Sequence, residues 1–235
     1  MSNFKELILH DEKNFTIINK PAGIQTERDR LGNPSIEAMF EDHLLSISRI
    51  NARPYIVHRL DRPVSGILIL AKSKTALLHF QEQIQEGIFH KKYLALCEGI
   101  LSEKEKTLTH YLFKNAKEFR SDIFDTFQEN TKESILKYKV LQENKNTSIA
   151  EVELLTGRYH QIRAQFGHIG HPLWNDYRYG ASKINDQSII GLHAHSIHFI
   201  NPNTNKSMQF NCKPIGELWN NFPYSDHFNR LKWSE

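Results

Sequence analysis

Five consecutive apolar residues, Ile67 to Ala71 ("ILILA"), constrain the fold of this chain more than any other stretch. A strand with one face in water alternates apolar and polar side chains, whereas a strand covered on both faces is apolar throughout. The run between Ser65 and Lys72 is therefore read as a central strand, and the rest of the chain must supply what covers it.

Upstream, "LILHDEKNFTIINKP" sets apolar residues on either side of a polar turn, which predicts two short strands broken by Pro21 and Gly23; "NKPAGIQTER" follows as a loop. Ile36, Met39, Phe40 and Leu44 recur at helical spacing, with Asn33 or Ser35 available as the cap and Pro34 tolerated in the first turn. Ser73 caps a second helix whose stripe is Ala76, Leu77, Phe80 and Ile84, and Gly87 stands where a left-handed C-terminal residue is wanted. "IFHKKYLALCEG" returns to a strand. Further strands are predicted at 107–113, 134–141 and 147–155, the last two joined as a hairpin by "ENKN". "GRYHQIRAQFGHIGHP" reads as a glycine turn and a short helix with Ile162 and Phe166 four apart. A loop "WNDYRYGAS", strands "IIGLHAHSIHFINP" and "SMQFNCK", and a closing helix around Leu218 and Trp219 complete the chain. Neither βαβα alternation nor strands alone describe this order. It predicts a single α+β domain over 1–235 with a largely antiparallel sheet.

Composition fits that size: 235 residues, 39% hydrophobic and 24% charged, are those of an ordinary globular protein. The longest apolar run is far too short to cross a bilayer, and "MSNFKELILHDEKNF" lacks the apolar stretch of a signal peptide, so a cytoplasmic protein without a membrane partner is expected. Cys97 and Cys212 show no CxxC spacing and are read as plain thiols. A net charge of +3 and a pI of about 8.7 are only weakly basic. Distribution says more: basic residues gather at Arg49 to Arg62, His90 to Lys92 and Arg158 to Arg163, while the acids collect in segments such as "LSEKEKT" that read as solvated surface.

One acid stands among those basic residues. In "VHRLDRPVSG", Asp61 lies between Arg59 and Arg62 and just before Pro63. With 55–60 extended, Arg59 and Asp61 share one face and His58, Leu60 and Arg62 the other, and Pro63 ends the strand. The carboxylate then sits where a strand leaves its sheet, a rigid support for an exposed catalytic group. A simple ion pair with a neighbouring arginine accounts for the same residues, and the tetrapeptide alone does not decide between the two.

Other segments do. "HRLDRPVSGILILAKS" resembles the signature of the RluA-type pseudouridine synthases, an HRLD tetrapeptide followed by Ser-Gly and an apolar strand ending in Ala-Lys. "NKPAGIQT" resembles that family's early Lys-Pro-Ala/Pro-Gly loop, "KKYLALCEG" its Lys-x-Tyr strand, "GRYHQIRAQFGHIGHPLWNDYRYG" its GRTHQIR helix with the following GHP and D-x-x-YG loop, and "LHAHSIHFINP" its late strand. These motifs stand in the family's order over most of residues 19 to 202. The departures are Val64, Tyr159, Gln165 and Asn201, none of them at Asp61, Tyr93 or Arg163.

The resemblance implies the pseudouridine synthase catalytic fold, a mixed, largely antiparallel sheet with flanking helices and a central active-site cleft. It implies an enzyme that isomerises uridine within structured RNA, tRNA or rRNA: the N1 glycosidic bond breaks, the uracil turns over, and C5 bonds to C1′. No group transfer or redox change occurs, so no cofactor is needed, in keeping with a chain that shows no P-loop or Rossmann glycine pattern. Asp61 matches the catalytic aspartate and Arg163 the arginine that keeps it ionised against the effect of burial. Two roles stay open for Asp61, attack on the sugar or base and removal of the 2′ proton. Tyr93 would stack on the detached uracil near C5, and Ile162 would floor the pocket. The target base must leave its stack. Arg59 is the candidate to fill the vacated space, and Arg158, at the glycine turn, to hold a phosphate, with Lys20, Arg178 and His58 further along the RNA path.

Of thirteen histidines, His193 with His195 and His168 with His171 raise the question of a metal. Each pair supplies only two ligands, with no third at a recognisable spacing, so no metal is expected and the rings are assigned to packing and RNA phosphate. The family's larger members carry a small RNA-binding domain ahead of the catalytic one; here the Lys-Pro-Ala-Gly motif stands almost at the N-terminus, and a short form without that domain is expected. Target choice then falls to the catalytic domain itself, with the polar "NAKEFRSDIFDTFQENTKES" insertion as the candidate segment. RNA is the expected partner of a monomer with no obligatory protein partner.

Overall fold

The apolar run does form a strand with neighbours on both sides. In the computed structural model, which describes residues 3–47, 53–182 and 188–220, the elements in chain order are α1 (Phe4–Leu7), β1 (Ile8–Asp11), β2 (Phe15–Lys20), α2 (Ile36–Ser46), β3 (Tyr55–Ile56), β4 (Ser65–Ala71) and α3 (Lys74–Gln85). There follow β5 (His90–Glu98), β6 (Glu105–Asn115), β7 (Arg120–Phe124), β8 (Lys132–Glu143), β9 (Thr147–Leu154), α4 (Gln161–His168), β10 (Leu192–Ile200), β11 (Ser207–Asn211) and α5 (Glu217–Asn220). Arg49, the first residue of one predicted basic cluster, lies outside the described residues. No helix among the described residues is long and apolar enough to cross a membrane.

The chain gathers into two compact units, one formed by the residues up to Lys91 with Ala194–Pro214, the other by Lys92–His193 with the segment from Ile215. In the first, β4 pairs antiparallel with β2 from Phe15↔Ala71 to Lys20↔Gly66 and with β3 at Tyr55↔Ala71 and Ile56↔Leu70, and β10 follows in the strand order. Ile67, Ile69 and Ala71 pack with Ala76 and Phe80 of α3 and with Phe15, Phe199 and Phe210; the rings of Phe15, Phe80 and Phe199 meet edge-on, and Phe210 stacks on Phe199. Leu68 and Leu70 are equally buried, which is why the run has no polar member. Gly66 is required by close approach: its φ is +118°, and a Cβ there would lie 2.3 Å from the carbonyl oxygen of Ala194.

Ser35 and Ser73 cap α2 and α3 through their hydroxyls, as expected, and Gly87 takes the left-handed conformation at φ +73°. The stripe on α3 differs from the prediction. Ile84 is exposed, and the buried position is Gln83, whose amide donates to Ile200 O at 2.7 Å and accepts from Ile200 N at 2.8 Å. A glutamine whose amide nitrogen and oxygen both find backbone partners is buried at little cost, a possibility that hydrophobic periodicity does not register. The short helix α1 was not anticipated either.

In the second unit the strands run β5-β9-β8-β6-β7, every neighbour antiparallel, and the predicted ENKN hairpin joins β8 to β9. The polar insertion is not simply a loop: Arg120–Phe124 folds back on β6 from Asn115↔Arg120 to Tyr111↔Phe124. Helix α4 is tied to the sheet by two glutamines one turn apart. Gln161 donates to Ile135 O at 3.1 Å, and the Gln165 amide nitrogen lies 3.1 Å from Ser134 O and 3.3 Å from Leu108 O. Cys97 and Cys212 are buried thiols outside any disulfide, and burial pushes both up to about 12.

Candidate active site

Asp61 belongs to a turn, not to a strand end. β3 stops at Ile56, and Val64 N donates to Asp61 O at 3.0 Å, closing a turn that leads into β4. The extended conformation expected for 55–60 fails because Leu60 finds its backbone partners elsewhere. The hydroxyl of buried Thr26 donates to Leu60 O at 2.8 Å and accepts from Leu60 N at 3.2 Å, so one side chain replaces a neighbouring strand.

The Lys-Pro-Ala-Gly loop holds the other side of this turn. Gly23 N donates to Arg62 O at 2.8 Å and Arg62 Nε donates back to Gly23 O at 3.0 Å. Beneath it, the ammonium of Lys20 donates to Pro21 O at 2.9 Å, to Ile24 O at 2.7 Å and more weakly to Arg62 O at 3.4 Å. Burial pulls Lys20 down to about 7, and the nearby negative charge of Asp61 opposes that fall. Thus two motifs forty residues apart in sequence build one support, which leaves the Asp61 carboxylate half-buried.

Two residues assigned to the RNA path are instead part of this support. Lys20 has no exposed surface, so it cannot reach a phosphate, and its ammonium serves the loop carbonyls. His58 is buried against Phe89, and its Nε2 accepts from Ile69 N at 3.2 Å. Burial, with Lys91 nearby, holds it well below the usual histidine range, so it is neutral. Arg59 is exposed as its assignment requires, and at this surface its guanidinium meets Glu27 at 2.9 Å.

In the second unit, Tyr93 is buried in β5, paired in register with Val152 of β9. Helix α4 is buried from Gln161 to Phe166, Ile162 and Arg163 included. Arg163 makes a side-on pair with Asp176, Nε to Oδ2 at 2.7 Å and Nη2 to Oδ1 at 2.9 Å, with side chains only 5% and 1% exposed. Its guanidinium also lies 5.3 Å from the centre of the Tyr179 ring. In the sequence Asp176 stands only as the Asp of D-x-x-YG, and nothing local marks its pairing to Arg163, thirteen residues back. Arg158 is exposed and its Nε donates to Glu133 O at 3.0 Å, while Arg178 donates to the carbonyls of Glu118 and Phe119 at 2.9 and 2.8 Å.

His110, Asp125 and His168 lie close together: His168 Nε2 meets Asp125 Oδ1 at 2.8 Å and the two rings meet edge to face. The Gln165 amide nitrogen sits 2.9 Å from His110 Nδ1.

A carboxylate held on a hydrogen-bonded turn is a group that proton transfer or nucleophilic attack can use. Comparison with known proteins agrees with the motifs. Residues 14–168 match the model of the family described as RNA pseudouridylate synthase. The chain is 34% identical over 215 residues to the uncharacterized RNA pseudouridine synthase MG209 of Mycoplasma genitalium, covering 89% of this chain and 67% of that one. It is 32% identical over 225 residues to ribosomal large subunit pseudouridine synthase C of Vibrio vulnificus, covering 92% and 68%. The chain thus spans about two thirds of the length of the curated relatives it matches. Among solved structures it is similar to human RNA Pseudouridylate Synthase Domain Containing 4, with a TM-score of 0.75 at 20% identity over 92% of both chains. For Domain Containing 1 the TM-score is 0.72 at 24% identity over 97% of this chain and 96% of that one. These likenesses show the fold, α+β with a largely antiparallel sheet.

Proposed function

The chain belongs to the RNA pseudouridylate synthase family, and on that premise we propose that it isomerises specific uridines in structured RNA, tRNA or rRNA, to pseudouridine with residues 1–235 as a single catalytic domain. The observation that carries this reading is the Asp61 turn: an HRLD carboxylate, half-buried, on a loop whose backbone is pinned by Thr26, Gly23 and Lys20. A reacting carboxylate must be held to within a fraction of an ångström of its target, and a turn pinned on both sides supplies that restraint.

Asp61 is the catalytic carboxylate, and Arg163, Tyr93 and Ile162 take the roles that the family resemblance implies for them: the arginine of the active site, the aromatic against the detached uracil and the apolar floor. Arg59 takes the place of the flipped base, and Arg158 contacts phosphate; the exposure of both side chains supports these two roles. The reaction needs no cofactor, and the enzyme works as a cytoplasmic monomer.

RNA carrying tritium at C5 of uridine tests the reading, because C5 loses its proton only when C5 bonds to C1′. Wild-type protein releases tritium from its target RNA, and Asp61→Asn and Asp61→Ala release none. Mapping pseudouridines in cellular RNA with and without the protein identifies the target. If no site disappears and no tritium is released from tRNA or rRNA, the proposed activity is wrong.

A further inference from the structure

The ion pair between Arg163 and Asp176 is almost completely buried, and neighbouring contacts fix both halves. Asp176 N donates to Leu173 O at 3.0 Å, and Asp176 O accepts from Tyr179 N at 3.0 Å and from Ala181 N at 3.2 Å. The left-handed residues Asn175, at φ +67°, and Gly180, at φ +95°, bracket this turn. Its Tyr179 lies against α4 so closely that a Cβ on Gly167 would meet Tyr179 O at 2.7 Å. The Tyr179 hydroxyl accepts from Ser121 N at 2.7 Å and lies 2.9 Å from His160 Nδ1, which locks the ring under the guanidinium.

Side-on pairing uses Nε–H and one Nη2–H. The other N–H groups of a guanidinium lie along its remaining edge, so a carboxylate that holds one edge decides where the other points. A buried ion pair is a poor source of stability compared with an apolar pair of the same volume, but it fixes direction.

From this geometry we propose that Asp176 is a positioning residue for the isomerisation: it acts on the reaction through Arg163, whose second edge it aims. The inference rests on the activity and on the role of Arg163 proposed above. Asp176 itself touches no reacting atom. Asn at 176 keeps the shape but turns one acceptor into a donor facing an N–H, which releases the aim.

The test is a double-mutant cycle on tritium release, with kcat and KM measured separately for wild type, Asp176→Asn, Arg163→Ala and the double variant, and Asp176→Glu as the conservative variant. Asp176→Asn lowers kcat at least tenfold with KM within threefold of wild type, Asp176→Glu recovers part of the loss, and in the Arg163→Ala background Asp176→Asn changes kcat less than threefold. A loss of equal size in both backgrounds, or wild-type kcat in Asp176→Asn, overturns the assignment. So does failure of both Asp176 variants to fold while Arg163→Ala folds, which assigns the pair to stability. A wild-type enzyme inactive on every RNA fails differently: it removes the proposed function, and the positioning role with it.

Discussion

Thr26 gives the sharpest test of the support beneath Asp61. Its hydroxyl is the hydrogen-bond partner of both backbone groups of Leu60, at 2.8 and 3.2 Å, with both residues buried. Thr26→Val keeps the side-chain volume and removes both bonds. Each backbone group left unpaired in a buried site costs about 1–3 kcal/mol, and since one oxygen serves both, the loss should be about 2–4 kcal/mol. Thr26→Ser keeps the oxygen and loses a methyl, about 1 kcal/mol. Urea denaturation of the three proteins reads this directly, as a fall in midpoint without a change in slope. Because Leu60 immediately precedes Asp61, a shift of about 1 Å in the turn also reaches the carboxylate, and a misplacement of that size costs on the order of 100-fold in rate. Thr26→Val therefore loses stability and tritium release together, while Thr26→Ser stays within a few-fold of wild type in activity. A Thr26→Val protein within about 0.5 kcal/mol of wild type and equally active would refute the claim that this hydroxyl replaces a strand at Leu60.

Gly66→Ala puts a Cβ 2.3 Å from the Ala194 carbonyl at a φ of +118°, so strand β4 or its neighbour must move; a loss of more than about 2 kcal/mol, read by thermal melting, is expected. Lys20 binds its proton in the folded protein only below about 7, whereas in the unfolded chain it does so up to its usual value of 10.5. Between those pH values the unfolded state holds more protons, so the Lys20 contribution to stability rises with pH by up to about 1.4 kcal/mol per unit. Subtracting the pH profile of Lys20→Met isolates this slope, and a flat difference from pH 7 to 10 would show that Lys20 is not buried as described. Gln83→Leu leaves Ile200 N and O without their side-chain partner and should cost about 1–3 kcal/mol in urea, with no change in kcat.

The parts of this fold that were legible in the sequence share a physical cause, and so do the parts that were not. The central strand, the serine caps and the left-handed Gly87 are local signals: the residues that carry them also act there. What escaped were polar side chains buried for a distant backbone group: Thr26 for Leu60, Gln83 for Ile200, Gln161 for Ile135, Gln165 for Ser134 and Leu108. Periodicity scores each of these as a surface position, and so misplaced the stripe on α3 and extended the strand before Asp61. The same cause moved Lys20 and His58 from the RNA path into the support, since a basic residue in a motif says nothing about which side of the loop it faces.

The candidate site was legible to a different depth. Asp61, Tyr93 and Arg163 could be named because ordered motifs carry them, and the position of Arg163 on α4 follows from helical spacing. The partner that orients Arg163 could not be named. Asp176 reaches it only because an unusual turn, with Asn175 and Gly180 both left-handed, folds the D-x-x-YG segment back beneath the helix. Gln165, a departure from the family's usual histidine, is likewise explained only by its neighbours: its amide meets two strand carbonyls that the sequence does not identify. Sequence motifs thus name the candidate reacting groups, whereas the residues proposed to aim them emerge from backbone geometry. Substitutions at Thr26 and Asp176 should accordingly impair turnover without altering any group that meets the RNA.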